Sequence, residues 1–190
     1  MSIQSLLESI RSFLIRQWQP LQRPPYQGLA SVRRIALHYH WDAESVAFAE
    51  ALEKELQAAG REVLHLAYWP EKRKRQAPPA GRAAEQGYAR GEWNWLGVPQ
   101  HLSYWRENAP DILIDFGRHM PAAAAFYRHT LPVALRVAVG EGGWADVHLP
   151  GNWAQHPFQQ SERVVQYLNF INNPENETAT RNGRGFGNAL

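Results

Sequence analysis

The 190-residue chain is long enough for one domain with a buried core, and its 44% hydrophobic and 20% charged residues exclude general disorder. A formal charge of only +2 neither requires nor excludes a nucleic-acid partner, and the absence of cysteine excludes disulfides, thiolate metal sites and a cysteine nucleophile. We expect a cytoplasmic location, because residues 2–18 lack the features of a signal peptide and no apolar run is long enough to span a bilayer.

Apolar residues recur at helical spacing through residues 3–18 and predict an amphipathic helix within an N-terminal segment of residues 1–19. Prolines then predict a stiff connector over residues 20–32. The apolar stripe of the helix needs a partner surface, which is its own sheet, a second copy of the chain, another protein or a membrane. The near-neutral charge makes the membrane the least favoured of these.

The next segment has the pattern of a βαβ unit. Residues 34–40 predict a strand, and Asp42 is placed to cap a helix that runs to about Ala59. Gly60 closes that helix, and residues 62–68 predict the second strand. Such a unit is right-handed and pairs its two strands in parallel.

Residues 70–92 interrupt this rhythm with proline, glycine and charge, and predict an exposed loop. A short helix is expected near residues 100–108. The nearly continuous apolar run of residues 111–117 predicts a third strand that is covered on both faces. Pro121 is expected to start a short alanine-rich helix.

Two more strands are predicted at residues 133–139 and 145–149, followed by a last helix capped by Ser161. The alternation of strands and helices predicts an α/β fold, with a single doubly wound, mostly parallel sheet of about five strands in flavodoxin-like or Rossmann-like order. We place this α/β domain at residues 33–173 and a flexible tail at residues 174–190.

Four segments together resemble an uncharacterised bacterial family known only as a domain of unknown function. They are the Trp-Asn-Trp-Leu-Gly element at residues 93–97, the strand at residues 110–115, the stretch at residues 135–149 and the closing helix at residues 165–171. The resemblance implies an α/β fold, but no activity and no catalytic residues. The proline-rich stretch near residue 78 and the glycine-rich tail depart from the family's pattern.

Ligands of doubly wound sheets bind outside the carboxyl ends of the strands, where the strand order reverses. The candidate ligand-binding residues at those ends are His38, His40, Asp115, Arg118 and His119. Such groups suit a small molecule or anion, and less well a metal, because they have no fixed ligand spacing. The alternative is that Asp42 only caps its helix and that the histidines form local hydrogen bonds.

We predict that Asp115 contacts Arg118, His119 or His38 beside an open crevice between the first and third strands. In the opposing arrangement Asp115 accepts hydrogen bonds from its own turn, and Trp41 or Phe116 fills the crevice. We assign no catalytic residue, cofactor or metal. The turn after the first strand is not glycine-rich, and the chain has no G-x-S-x-G nucleophile motif.

A basic cluster in the predicted loop consists of Lys72, Arg73, Lys74 and Arg75. Aromatic residues lie nearby in the sequence, as in nucleic-acid readers. The alternative, which the small net charge favours, is a solvated loop that aids solubility.

Eight tryptophans are many for a chain of this length. Four of them fall near predicted element ends, where aromatic anchors of interfaces occur: Trp18, Trp41, Trp69 and Trp153. The leading hypothesis is a non-catalytic protein that docks on a protein or ribonucleoprotein partner through residues 3–18, the basic cluster or both. The second is a small-molecule-binding domain or enzyme that uses the crevice at the strand ends.

Overall fold

A computed structural model describes residues 2–69, 88–89, 93–118, 120–140 and 143–171, without the side chains of residues 69, 88 and 89. Its helices are α1 (Ile3–Trp18), α2 (Ala43–Ala58), α3 (Leu102–Glu107), α4 (Ala124–Thr130) and α5 (Pro157–Phe170). Its strands are β1 (Arg34–His40), β2 (Glu62–Trp69), β3 (Tyr88–Ala89), β4 (Ile112–Asp115), β5 (Leu135–Val139) and β6 (Val147–Leu149). A 3-10 turn, Leu29–Ser31, precedes β1.

The strands form one sheet in the order β3-β2-β1-β4-β5-β6, and every pair of neighbours is parallel. This is the Rossmann order. Without the two-residue β3, the other five strands follow the flavodoxin-like order. The predicted doubly wound α/β fold with an N-terminal helix is therefore confirmed. The edge strand β3 lies where the sequence predicted only loop.

Helices cover both faces of the sheet. Alternate residues of β1 point to opposite sides, so that Ile35 and Leu37 meet α2 and α5 while Ala36 meets α3 and α4. The second face is also covered by α1, through half-buried Leu14 and Trp18. The two layers make β1 and β4 fully covered strands, which explains their continuous apolar sequences.

The connector is more than a spacer. Tyr26, Leu29 and Val32 are buried in the core, and the Tyr26 hydroxyl donates to the carbonyl of Leu168 in α5 at 2.7 Å. Arg23 donates to the carbonyls of residues 133 and 134 and forms a two-pronged ion pair with Asp146. Residues 23–32 are thus tied to residues 133–168, far along the chain.

The helix ends follow local chemistry, with two errors in the prediction. Pro121 does not start α4: the amides of residues 124–126 donate to the carbonyls three residues back, so a tight turn comes first and the α-helix begins at Ala124. Asp42 caps α2, and Gly60 follows that helix with a φ of +77°, both as expected. Ser161 does not cap α5. That helix begins at Pro157, because proline fits the first helical position, and the Ser161 hydroxyl donates back to the carbonyl of Phe158.

Candidate functional site

The strand order reverses between β1 and β4. The chain leaves β1 through α2 towards β2 on one side, and leaves β4 through α4 towards β5 on the other. An open cavity of about 440 Å³ lies at the carboxyl end of β1, beside the turn that follows β4. We name it the switch-point crevice, and its lining residues are His40, Asp42, Ala43, Glu44, Arg118 and Trp153.

The last residue of β1 and the cap of α2 form one wall. Asp42 has extended backbone and accepts hydrogen bonds from the Ser45 amide at 2.8 Å and the Ser45 hydroxyl at 3.1 Å. His40 lies with Nδ1 at 3.2 Å from Asp42 Oδ2, and its ring meets the edge of Tyr68 at 5.3 Å between centroids. Asp42 is therefore both a helix cap and a lining residue of the crevice.

Arg118 crosses the crevice. Its Nη1 lies 3.7 Å from Glu44 Oε2, and its Nη2 donates to Asn152 Oδ1 at 3.3 Å. The guanidinium carbon lies 5.0 Å from the centroid of the Trp153 ring, a cation–π geometry. The Arg118 and Glu44 side chains are 51% and 62% exposed, so this ion pair is solvated and weak.

Trp153 forms the floor. It is 2% exposed and packs on Phe48 and Phe116, with ring centroids 5.5 and 5.6 Å away. Its predicted role as an interface anchor is therefore wrong, since too little of the ring reaches the surface. Trp18 and Trp41 are half-buried, and the side chain of Trp69 lies outside the described residues.

A second cluster is buried beneath α4, away from the crevice. His38 and Asp115 are register partners on β1 and β4, with His38 Nδ1 at 2.6 Å from Asp115 Oδ2. Arg128 of α4 donates to both carboxylate oxygens, Nε to Oδ2 at 2.8 Å and Nη2 to Oδ1 at 2.9 Å. The amide of Gly117 also donates to Oδ1 at 3.2 Å. The carboxylate thus accepts from β1, from α4 and from the turn that follows β4.

The charges of this cluster balance as one ion pair and one neutral imidazole. Burial alone would raise the pKa of Asp115, but His38 and Arg128 outweigh it and hold that pKa below its usual value. Complete burial lowers the pKa of His38, and the Arg128 cation adds to this effect against the opposing pull of Asp115. His38 is thus neutral near pH 7 and donates its Nδ1 proton to the carboxylate.

The structure places some of the predicted candidate residues at the crevice and others in the buried cluster. The predicted contact of Asp115 with His38 is confirmed, and the crevice at these strand ends is open. Asp115 does not line that crevice, however, and its second partner is Arg128 instead of Arg118. His40 and Arg118 do line it. Phe116 is buried in the core beside Tyr39, at 5.2 Å between ring centroids, and does not fill the crevice.

Sequence reasoning missed Arg128, Glu44 and Trp153. Arg128 carried a signal, because it lies four residues after the buried Ala124 and so shares the sheet-facing stripe of α4. A buried carboxylate on the preceding strand requires a cation of this kind. Trp153 carried no local signal, because it reaches the crevice from a turn between β6 and α5.

His119, the basic cluster (Lys72, Arg73, Lys74 and Arg75) and the predicted tail (residues 174–190) lie outside the described residues. Their roles remain predictions. Within the described ranges, no group of three or more histidine, aspartate or glutamate side chains is arranged to hold a metal ion. Nor is any helix there long and apolar enough to cross a membrane.

No known family model matches the chain, and no curated protein matches it. The resemblance to the uncharacterised bacterial family stays a prediction.

Proposed function

We propose that the protein binds a small molecule in the switch-point crevice. The observation that carries this proposal is position, because the crevice lies where a doubly wound sheet reverses its strand order. Its volume of about 440 Å³ lies in the range of small-molecule sites.

The lining also supports binding. One aromatic ring, one guanidinium, one imidazole and two carboxylates meet at the crevice, and such mixed walls orient a ligand through a few polar contacts. The buried pair His38–Asp115 is not part of this wall. The proposal is therefore one of binding. His40 and Asp42 are the crevice side chains that could exchange a proton with a bound ligand.

The test is a screen of small-molecule mixtures by ligand-detected NMR, followed by ¹H–¹⁵N spectra of the labelled protein. We expect shifts at the amides of Ala43, Glu44 and Arg118, and weaker binding in His40→Ala. Arg106→Ala is the matched control, because Arg106 lies at the end of α3 that leads into β4, at the opposite end of the sheet. Hits that shift other surfaces, or none at all, would contradict the proposal.

We propose self-association through α1 as a second candidate function. None of the 16 residues of α1 is buried. Ile3, Leu6 and Phe13 are 79%, 45% and 58% exposed, and with half-buried Ile10 they form one stripe beside the face that packs on α4. We name these four residues the α1 stripe.

The α1 stripe suits a second copy of the chain. Its members follow a heptad spacing that reads the same in both directions, so two antiparallel copies pair Ile3 with Phe13 and Leu6 with Ile10. The exposed area is on the order of 300–400 Å² per protomer, which is below that of a standard stable interface. The dimer is therefore expected to be weak, with a Kd on the order of 0.1 mM.

Sedimentation velocity over a range of concentrations tests this candidate. Leu6→Gln with Phe13→Gln should give a monomer at every concentration while preserving helix propensity. Tyr104→Gln is the control, since Tyr104 is 55% exposed on α3 outside the stripe. A wild-type monomer at millimolar concentration would contradict self-association. In that case docking on a different protein is tested instead.

A further inference from the structure

Arg118 already occupies the switch-point crevice in the way a ligand cation would. Its guanidinium lies over the Trp153 ring, with one nitrogen near the Glu44 carboxylate and another on the Asn152 amide oxygen. An aromatic face beside carboxylate and amide oxygens is the environment that recognises organic cations. None of these contacts is short, and both charged side chains are more than half exposed.

We propose that the ligand of the crevice carries a guanidinium or alkylammonium group, and that Arg118 is a displaceable plug that holds the place of this cation. The inference rests on the proposed binding function. It assigns the substrate class, and it gives Arg118 the role of a competitor instead of a ligand-binding residue.

The charges of the crevice favour a cation over an anion. Two carboxylates, Asp42 and Glu44, face one guanidinium. The amino end of α2 carries a partial positive charge, but Asp42 caps it and Glu44 lies in its first turn, so both offset that charge. An anion would have to draw Arg118 away from Glu44 and Asn152 and then lie beside the two carboxylates.

Displacement of Arg118 requires little free energy. A solvated ion pair of this kind contributes little to stability, and the cation–π contact of a half-exposed guanidinium contributes a similarly small amount. A ligand cation recovers both contacts in the same place. Removing the plug should therefore raise the affinity for a small organic cation by about fivefold to tenfold.

The experiment compares agmatine, a small guanidinium compound, with glutarate, a dianion of similar length, by isothermal titration calorimetry. We expect agmatine to bind the wild type weakly, to bind Arg118→Ala about fivefold to tenfold more tightly, and to bind Glu44→Gln several-fold more weakly. Arg106→Ala should bind like the wild type. Circular dichroism of each variant checks that it is folded.

The outcomes separate the inference from the proposed function. Glutarate binding that is lost in Arg118→Ala would overturn the cation assignment and leave a crevice ligand in place, with Arg118 as its anchor. Agmatine binding that is unchanged in Arg118→Ala would overturn the plug. Failure of both probes at millimolar concentration, together with no crevice shifts in the mixture screen, would overturn the inference and the binding function together.

Discussion

At the scale of single residues, His38, Asp115 and Arg128 form a largely buried cluster in which every polar group needs a partner. A carboxylate that is 1% exposed is tolerable only with full hydrogen bonding, and here four N–H donors from three residues supply it. The cluster joins β1, β4 and α4 at a single point. We therefore expect it to determine stability more than binding.

Asp115→Asn should lower the free energy of unfolding by about 3 kcal/mol, because it leaves the Arg128 guanidinium without its counter-charge in a largely buried position. Urea denaturation followed by circular dichroism measures this loss. Asp42→Asn is the matched control, since the same exchange at the surface keeps a good helix cap. An equal and small effect of both substitutions would show that the ion pair contributes little. A change in crevice binding without loss of stability would return Asp115 to the functional site.

The lowered pKa of His38 has a defined effect on stability. The unfolded chain binds a proton below its ordinary histidine pKa of about 6.5, whereas the folded protein keeps His38 neutral. The contribution of neutral His38 to the free energy of unfolding is thus fully present above about pH 6.5. It falls as the pH decreases, by up to about 1.4 kcal/mol per pH unit for one such group. His129, whose pKa is lowered by partial burial and by the cations Arg136 and Arg128, acts in the same direction.

His38→Asn should lower the number of protons taken up on unfolding by about one, and so flatten the pH dependence of stability. The asparagine amide can still donate to Asp115 but does not titrate in this range. Unfolding free energies measured at pH 7.5, 6.5 and 5.5 give the slope for each protein. His101→Asn, on the exposed surface, is the control and should keep the wild-type slope. If His38→Asn also keeps it, the imidazole is charged in the folded state.

At the scale of elements, α2 joins stability to the crevice through its first residue. Asp42→Ala removes the acceptor of the Ser45 amide and should cost about 1 kcal/mol of unfolding free energy. The same change should weaken agmatine binding in calorimetry, since it removes one of two crevice carboxylates. Asp42→Asn, which keeps the cap but not the charge, should retain stability and lose binding. A parallel loss of both properties in Asp42→Asn would show that the two roles are inseparable.

The elements themselves were largely predictable from the sequence, because their signals are local. Asp42 and Gly60 mark the ends of α2 through side-chain and backbone chemistry that a few residues determine. The edge strand β3 was not predictable, since two residues paired with β2 leave no periodic pattern. The prediction that Ser161 caps the last helix was wrong because, in the sequence, a serine four positions inside a helix looks the same as a serine that caps its start.

At the scale of the whole molecule, the strand order of the sheet determines where the crevice lies. The sequence predicted this position only because its alternating strands and helices indicate a doubly wound α/β fold. His40 and Arg118 were identified because both follow strands whose carboxyl ends meet. The crevice floor formed by Trp153 depends on the path that the chain takes after β6, and no local sequence rule gives that path. The face to which Asp115 turns depends on strand register, which placed it under α4.

The tie between the connector and the last quarter of the chain has a consequence for the order of folding during synthesis. Arg23 meets Asp146, and Tyr26 meets Leu168, which are 123 and 142 residues further along the chain. A ribosome must therefore release nearly the whole domain before Arg23 and Tyr26 can form these contacts. Until α4 has been made, the face of α1 that carries Leu14 and Trp18 is also uncovered on the nascent chain and available to chaperones. In refolding, pulse-labelled hydrogen exchange should protect the amides of β1 and β4 before that of Val32. Protection of Val32 in the earliest phase would mean that the N-terminal segment folds without the strands that hold it.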